Sequence, residues 1–195
     1  MRMRIRFLNL VAVAIMVVPA VAQMQSWSID SAHSSAQFAL RHLGISTVRG
    51  AFTKVSGSVQ YDTADPTKTT IDSTIDASSV DTRVEMRDND LRSPNFFDVA
   101  KYPSLTFKSK RVEAVGSGKL KVTGDLTIHG VTRGVVLNVD GPSAAVKDPR
   151  GNLHIGAAAS TTVNRKDFGV NGAGPMVGDD VTITIDLEMT RPSGS

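Results

Sequence analysis

The chain has 195 residues and no cysteine, is 41% hydrophobic and 21% charged, and carries 22 Lys and Arg against 19 Asp and Glu. The missing thiols exclude disulfides, Cys-ligated zinc, thiol nucleophiles and c-type haem attachment, so stability must rest on a packed core. Three arginines fall within the first six residues. What remains is balanced at 19 against 19 and offers no basic stripe for nucleic acid.

Residues 1–22 read as a secretory signal peptide. Arg2, Arg4 and Arg6 form a basic start, residues 7–18 are almost all apolar, and Ala20-Val21-Ala22 is a small-x-small cleavage site. The apolar run is well short of the roughly 20 residues that span a bilayer, so a cleaved leader is expected and not a transmembrane anchor. That places the protein in the periplasm or outside the cell. Residues 23–195 are then expected to form a single domain, long enough to bury its own core.

Beyond the leader the chain is all-β in pattern. Period-two alternation runs through 35–42, 48–61, 69–77, 104–115, 120–128, 134–140, 153–163 and 181–189. One-sided alternation marks strands with one face buried and one wet, which implies antiparallel pairing in a sandwich or barrel. Glycines beside these runs mark places where a sheet can curl. About eight strands closed on themselves leave room for side chains or for one small ligand. One segment differs. Residues 80–91 place Val80, Val84 and Leu91 on roughly one helical face, Thr82 and Glu85 have capping-box spacing, and Ser93-Pro94 ends the helix. An aromatic loop with Phe96-Phe97 and Tyr102-Pro103 follows, and the tail at 191–195 is expected to fray.

Candidate chemistry is sparse. The four histidines, His33, His42, His129 and His154, show neither HxH nor HExxH spacing, so no metal is expected. His42 shares parity with Phe38 and Leu40 and reads as an inward-facing, hydrogen-bonded polar group. No GxSxG, P-loop or GxGxxG occurs, and neither an enzyme nor a cofactor is expected. His129-Gly130 interrupts the alternating stretch LTIHGVTRGVVL, where glycine can take positive φ, so a hairpin connection is favoured over a catalytic histidine. The aromatics either fill a core or line an apolar slot. Residues 164–169 form either a salt-bridged turn or a polar pocket rim, in which Arg165 offers a planar fork to an anionic or carbonyl head group.

Several segments, in order, resemble the YceI-like family of secreted bacterial lipid-binding proteins. They are Asp30-Ser31-Ala32-His33-Ser34, Phe38-Ala39-Leu40-Arg41-His42-Leu43, Thr47-Val48-Arg49-Gly50-Ala51-Phe52, and Arg87-Asp88 with Leu91-Arg92-Ser93. Then come Phe96-Phe97-Asp98 through Tyr102-Pro103, Leu126-Thr127-Ile128-His129-Gly130-Val131-Thr132, residues 164–169 and residues 177–181. The resemblance covers nearly all of 23–195. It implies an extended, lipocalin-like antiparallel β-barrel with a short helix near one end. A long internal pocket would take a polyisoprenoid, an isoprenoid quinone or a fatty-acid derivative, to bind, sequester or transport it in the periplasm. It also implies homodimers in many members. By position, His33, His42, Asn164, Arg165 and Asp167 become polar ligand contacts, and Phe38, Leu91, Phe96, Phe97, Phe107, Leu126 and Phe168 the apolar wall. Three residues depart from the family pattern: Arg83 stands where glycine is usual, Asp90 where His is common, and Asn95 where Asp is common. Two rival readings are an enzyme acting on such a lipid through its histidines, and a solid barrel whose surface binds a partner protein.

Overall fold

The C-terminal alternation becomes a strand from Asp180 to Arg191, and Val181, Ile183, Ile185, Leu187 and Met189 all face the interior. The structure, a computed structural model, describes residues 24–192. The expected leader at 1–22 lies outside the described residues. In chain order the elements are β1 (Met24–Ile29), β2 (Ser35–His42), β3 (Ser46–Phe52), β4 (Val55–Asp62), β5 (Thr70–Asp76), β6 (Val80–Asp81), α1 (Glu85–Arg92), β7 (Ser104–Gly116), β8 (Lys119–Ile128), β9 (Val131–Asp140), β10 (Val146–Lys147), β11 (Leu153–Asn164) and β12 (Asp180–Arg191).

Eight of the strands close into an antiparallel ring, β1–β4–β5–β7–β8–β9–β11–β12 and back to β1. β11 and β12 are registered along their whole length, from Leu153 opposite Arg191 to Asn164 opposite Asp180. The other edge of β12 is shared. Ser28 and Ile29 of β1 pair with Thr190 and Met189, and β2 pairs with residues 182–186. Between them the turn at 30–34 leaves the wall, pinned where Asp30 N–H donates to Glu188 O at 2.9 Å. β2, β3 and β6 thus extend the barrel at one end, where α1 and the loop at 93–103 pack against them.

The expected run at 48–61 is two strands, because the chain turns a corner at Thr53-Lys54. β1 carries only two strongly buried side chains, Trp27 and Ile29, among polar ones, which is why its pattern is weak. The helix is shorter than the sequence suggests. Val80 is fully buried in β6, and Arg83 takes φ 63°, a left-handed conformation that stops any helix running back through it. This is the position where the resembling family has glycine, which adopts such a φ without strain. No capping box forms: Val84 is the N-cap and has no side-chain bond. Asp88, buried in the helix, instead accepts from Thr82 N at 2.8 Å and from the Thr82 hydroxyl.

Ile128-His129-Gly130-Val131 is a tight two-residue hairpin with φ 52° at His129 and 73° at Gly130. Positive φ at both central residues matches the twist of the flanking strands. The imidazole packs edge-on against Tyr102 at 4.6 Å between ring centroids, as part of a connection. Gly124 answers a different need. A Cβ there would fall 2.5 Å from Phe107 Cζ, so the absent side chain is what admits that ring.

Candidate functional site

The inward faces of the ring do not meet across the barrel, and a cavity of about 400 Å³ remains between them. Its wall is overwhelmingly apolar. The structure brings all seven of the expected wall residues to it: Phe38, Leu91, Phe96, Phe97, Phe107, Leu126 and Phe168. Phe38, Phe52 and Phe97 form a contiguous aromatic bank, with centroid separations of 5.8 and 5.3 Å. Sequence parity could also have found Val122, Ile183 and Ile185, which lie on the same faces of strands already identified. Ala157 and Ala159 were missed because alanine gives little pattern signal.

Neutral polar side chains, among them Gln37, Tyr61, Thr69, Ser73, Thr106 and Thr161, are interspersed along the wall, and apart from Arg165 the charged and imidazole groups sit at the end covered by α1. His42, Arg87 and Asp90 line it there. Arg87 is anchored through its Nε to Thr82 Oγ1 at 2.8 Å and its Nη2 to Thr82 O at 2.9 Å. Asp90 accepts from Asn95 Nδ2 at 3.2 Å. Two of the departures from the family pattern are therefore partners in one hydrogen bond.

The other expected polar contacts are placed differently. Arg165 borders the cavity but is only 6% exposed, and its donors are engaged by its own loop. Nε donates to Gly178 O at 3.1 Å. Nη1 donates to Val170 O and Gly172 O, both at 2.8 Å, and Nη2 to Gly174 O at 3.2 Å and Asp179 Oδ1 at 3.3 Å. The fork anticipated for a ligand head group folds residues 165–179 instead, because a planar set of five donors suits converging carbonyls equally well. Asn164 Oδ1 caps the turn that follows it, accepting from Lys166 N at 3.0 Å. Asp167 is exposed and Asn164 does not line the cavity.

His33 lies on the outer wall. Its Nδ1 is 2.8 Å from Asp30 Oδ2, in the turn between β1 and β2. Nearby, His154 Nδ1 is 2.7 Å from Glu188 Oε1 and its Nε2 is 3.3 Å from Asp148 Oδ2. The bonds to Glu188 and Asp148 raise the His154 pKa above 6.5, and the Asp30 bond raises that of His33. The His33 bond lowers the Asp30 carboxyl. Burial pushes the Asp148 carboxyl up, but hydrogen bonds from the Asn152 side chain and backbone and from His154 outweigh it and hold it at about 2. The histidine contributions are complete below pH 6.5 and vanish as pH rises through the raised folded pKa values. The carboxylate contributions are complete above pH 3.8 and vanish as pH falls, for Asp148 towards 2. Stability should therefore peak in mildly acidic solution. Urea midpoints measured against pH should decline above neutrality, and His154→Gln should flatten that decline. An unchanged alkaline limb in the variant would remove His154 from the account.

The profile of the YceI-like domain matches residues 27–189. The chain is 38% identical over 163 residues to a UPF0312 protein of Vibrio cholerae, covering 83% of this chain and 86% of that one. It is 35% identical over 161 residues to a UPF0312 protein of Pseudomonas syringae pv. tomato, covering 83% and 81%. Among solved structures it is similar to the Campylobacter jejuni YCEI protein, with 33% identity, a TM-score of 0.69 and coverage of 78% of this chain and 90% of that one. It is also similar to Burkholderia cenocepacia BcnA, with 26% identity, a TM-score of 0.72 and coverage of 82% and 98%. A polyisoprenoid binding domain from Saccharophagus degradans shares the fold at 19% identity and a TM-score of 0.63, covering 85% and 98%.

Proposed function

The chain belongs to the YceI-like family, and from that premise we propose that it binds a long-chain amphiphilic lipid inside the barrel, in the periplasm, after removal of residues 1–22. The ligand class is a polyisoprenoid, an isoprenoid quinone or a fatty-acid derivative. One observation carries the reading: a cavity walled overwhelmingly by apolar side chains has His42, Arg87 and Asp90 at one end, while the other polar side chains along it are neutral, save Arg165, which its own loop engages. That arrangement matches a molecule with an apolar tail and one polar head. The related fold described as a polyisoprenoid binding domain supports the same ligand class. Burying about ten methylene equivalents yields ~8 kcal/mol gross, the scale of micromolar binding before ordering costs are subtracted. Affinity should therefore follow tail length more than head group.

Binding without chemistry is the reading we adopt. His33 is on the outer wall, away from the cavity, and no nucleophile–base pair faces the cavity among the described residues. Turnover of a lipid that disappears in His42→Ala would replace this reading with an enzyme. Native mass spectrometry of the protein purified from its own host, followed by lipid extraction, tests the proposal. The expected result is a mass lacking the leader plus one co-purified long-chain lipid. No retained lipid, together with no uptake of prenyl or acyl probes, would overturn it.

Phe38→Ala separates the cavity from a solid barrel. In a filled core the change would cost about 3–5 kcal/mol. Here Phe38 is half-buried and borders open space, so the expected cost in urea denaturation is well below that range, with a clear loss of probe affinity. A full core-sized penalty with unchanged affinity would favour the solid barrel.

A further inference from the structure

Nine large hydrophobic residues are exposed among the described residues, and three of them meet where the β2–β3 turn is tied to the loop before β12. They are Leu43 and Ile45 at the turn and Met176 in the loop; Val84 and Met86 are exposed at the start of α1 and bring the number at this helix and these loops to five. Single exposed apolar residues are ordinary, whereas a group at one place marks an interaction surface.

Three of the five are immediate chain neighbours of residues that line the cavity. Leu43 follows His42, Met86 precedes Arg87, and Met176 precedes Val177. The two loops are tied together there: His42 bridges Val177, and Leu43 N–H donates to Met176 O at 2.8 Å. The cavity wall thus passes, through His42, Arg87 and Val177, directly into a rim of exposed apolar side chains. Exposure is 57% at Leu43, 80% at Ile45, 81% at Met86 and 52% at Met176.

The turn itself is unusual. Leu43 takes φ 50° and Gly44 φ 71°, positions where Asn, Asp or Gly is favoured. A leucine here gains no burial and bears left-handed backbone, so neither packing nor turn chemistry accounts for it. The charges of the turn's own segment are of one sign, with Asp179 and Asp180 approaching from the start of β12, where Gly178 N–H donates to Arg41 O at 2.8 Å. Arg41 and Arg49 are exposed, residues 41–49 contain no carboxylate, and Arg41 braces the turn by donating to Gly44 O at 2.8 Å.

We propose that this rim docks onto an anionic phospholipid bilayer, with Leu43 and Ile45 entering the acyl boundary and Arg41 and Arg49 meeting lipid phosphates. The proposal rests on the lipid-cavity reading. A long apolar chain moving between bilayer and cavity through water would expose its whole tail, and a docked rim shortens that exposure. Exposed apolar side chains flanked by arginines are the elements of interfacial binding.

The test is vesicle flotation of the protein as recovered from cells, comparing wild type with Leu43→Asn/Ile45→Thr. Asparagine suits the positive φ and threonine keeps a β-branched strand residue, so the fold should persist, as a thermal melt will check. Wild type should float with vesicles of phosphatidylcholine and phosphatidylglycerol, less with phosphatidylcholine alone, and less at high salt. The double variant should lose at least tenfold in bound fraction while its affinity for a short soluble acyl probe stays unchanged. That last readout separates failure of docking from failure of the cavity reading. Flotation equal to wild type in the variant overturns the proposal. So does light scattering that shows a wild-type dimer, a monomeric variant and no wild-type flotation, which would assign the rim to a second copy of the chain.

Discussion

Replacing Arg165 with alanine should destabilise the protein by about 3–5 kcal/mol, measured as a shift in urea-denaturation free energy at constant slope. The side chain is 6% exposed and gathers residues 165–179 around it through carbonyls of Val170, Gly172, Gly174 and Gly178. Each hydrogen bond from a charged donor contributes on the order of 1.5–3 kcal/mol, and carbonyls left buried without a donor carry a further cost. The sum is reduced because a loosened loop can hydrate its own carbonyls. Asp179 adds little, since it is 39% exposed and remains solvated after the change. Arg165→Lys should recover only a small part, because an ammonium has three donors at one point and cannot reach the same carbonyls. The loop also carries Val170, Ala173 and Val177 into the cavity wall, so probe binding should fall with stability. A near-neutral Arg165→Ala would mean that the loop is held by its backbone alone, and would return the guanidinium to candidacy as a ligand contact.

The second large effect should come from filling the cavity. Ala159 lines it from β11, opposite Val139 on β9 and Ile185 on β12, which line it too. Ala159→Phe places a ring in space otherwise left for a tail. Affinity for a prenyl or acyl probe, measured by calorimetry, should fall by about a hundredfold, which corresponds to ~2.7 kcal/mol. Overpacking a dense interior costs about 1–3 kcal/mol, but a ring entering open space meets little resistance, so the melting temperature should change little. Unchanged affinity would put the ligand elsewhere. Lost affinity accompanied by a large fall in stability would mean that the space is not available to a ring.

Side-chain period explains how much of the fold was legible. In β12, β8 and β11 alternate positions face inward over many residues, and a one-residue slip would turn every apolar group to water. Strand identity and inward parity could therefore be read directly, whereas the wall residues come from the family resemblance, and four of them, Leu91, Phe96, Phe97 and Phe168, lie outside any strand. β1 escaped because its apolar residues, Met24, Trp27 and Ile29, do not keep one parity, and its place is set by pairing with β4 and β12. The helix was misjudged at its start because Thr82 and Glu85 have the spacing of a cap while Asp88, a turn further on, makes the bonds to Thr82. Local spacing cannot tell which of two carboxylates reaches a donor.

The polar expectations diverged for a related reason. Asn164, Arg165 and Asp167 are adjacent in the chain, yet one caps a turn, one anchors a loop and one meets solvent. His33 and His42 lie nine residues apart on either side of β2, but the turn at 30–34 leaves the wall and carries His33 outside while His42 reaches the cavity. The sequence by itself determined the all-β character, the parity of the wall and the hairpin at His129-Gly130, because these depend on neighbours within a few residues. Only the tertiary structure decided which polar groups face the cavity and that exposed leucine, isoleucine and methionine meet at one rim. Those outcomes depend on segments up to about 130 residues apart converging at one end of a closed sheet, and hydrogen-bond partners at that distance leave no periodic trace in the chain.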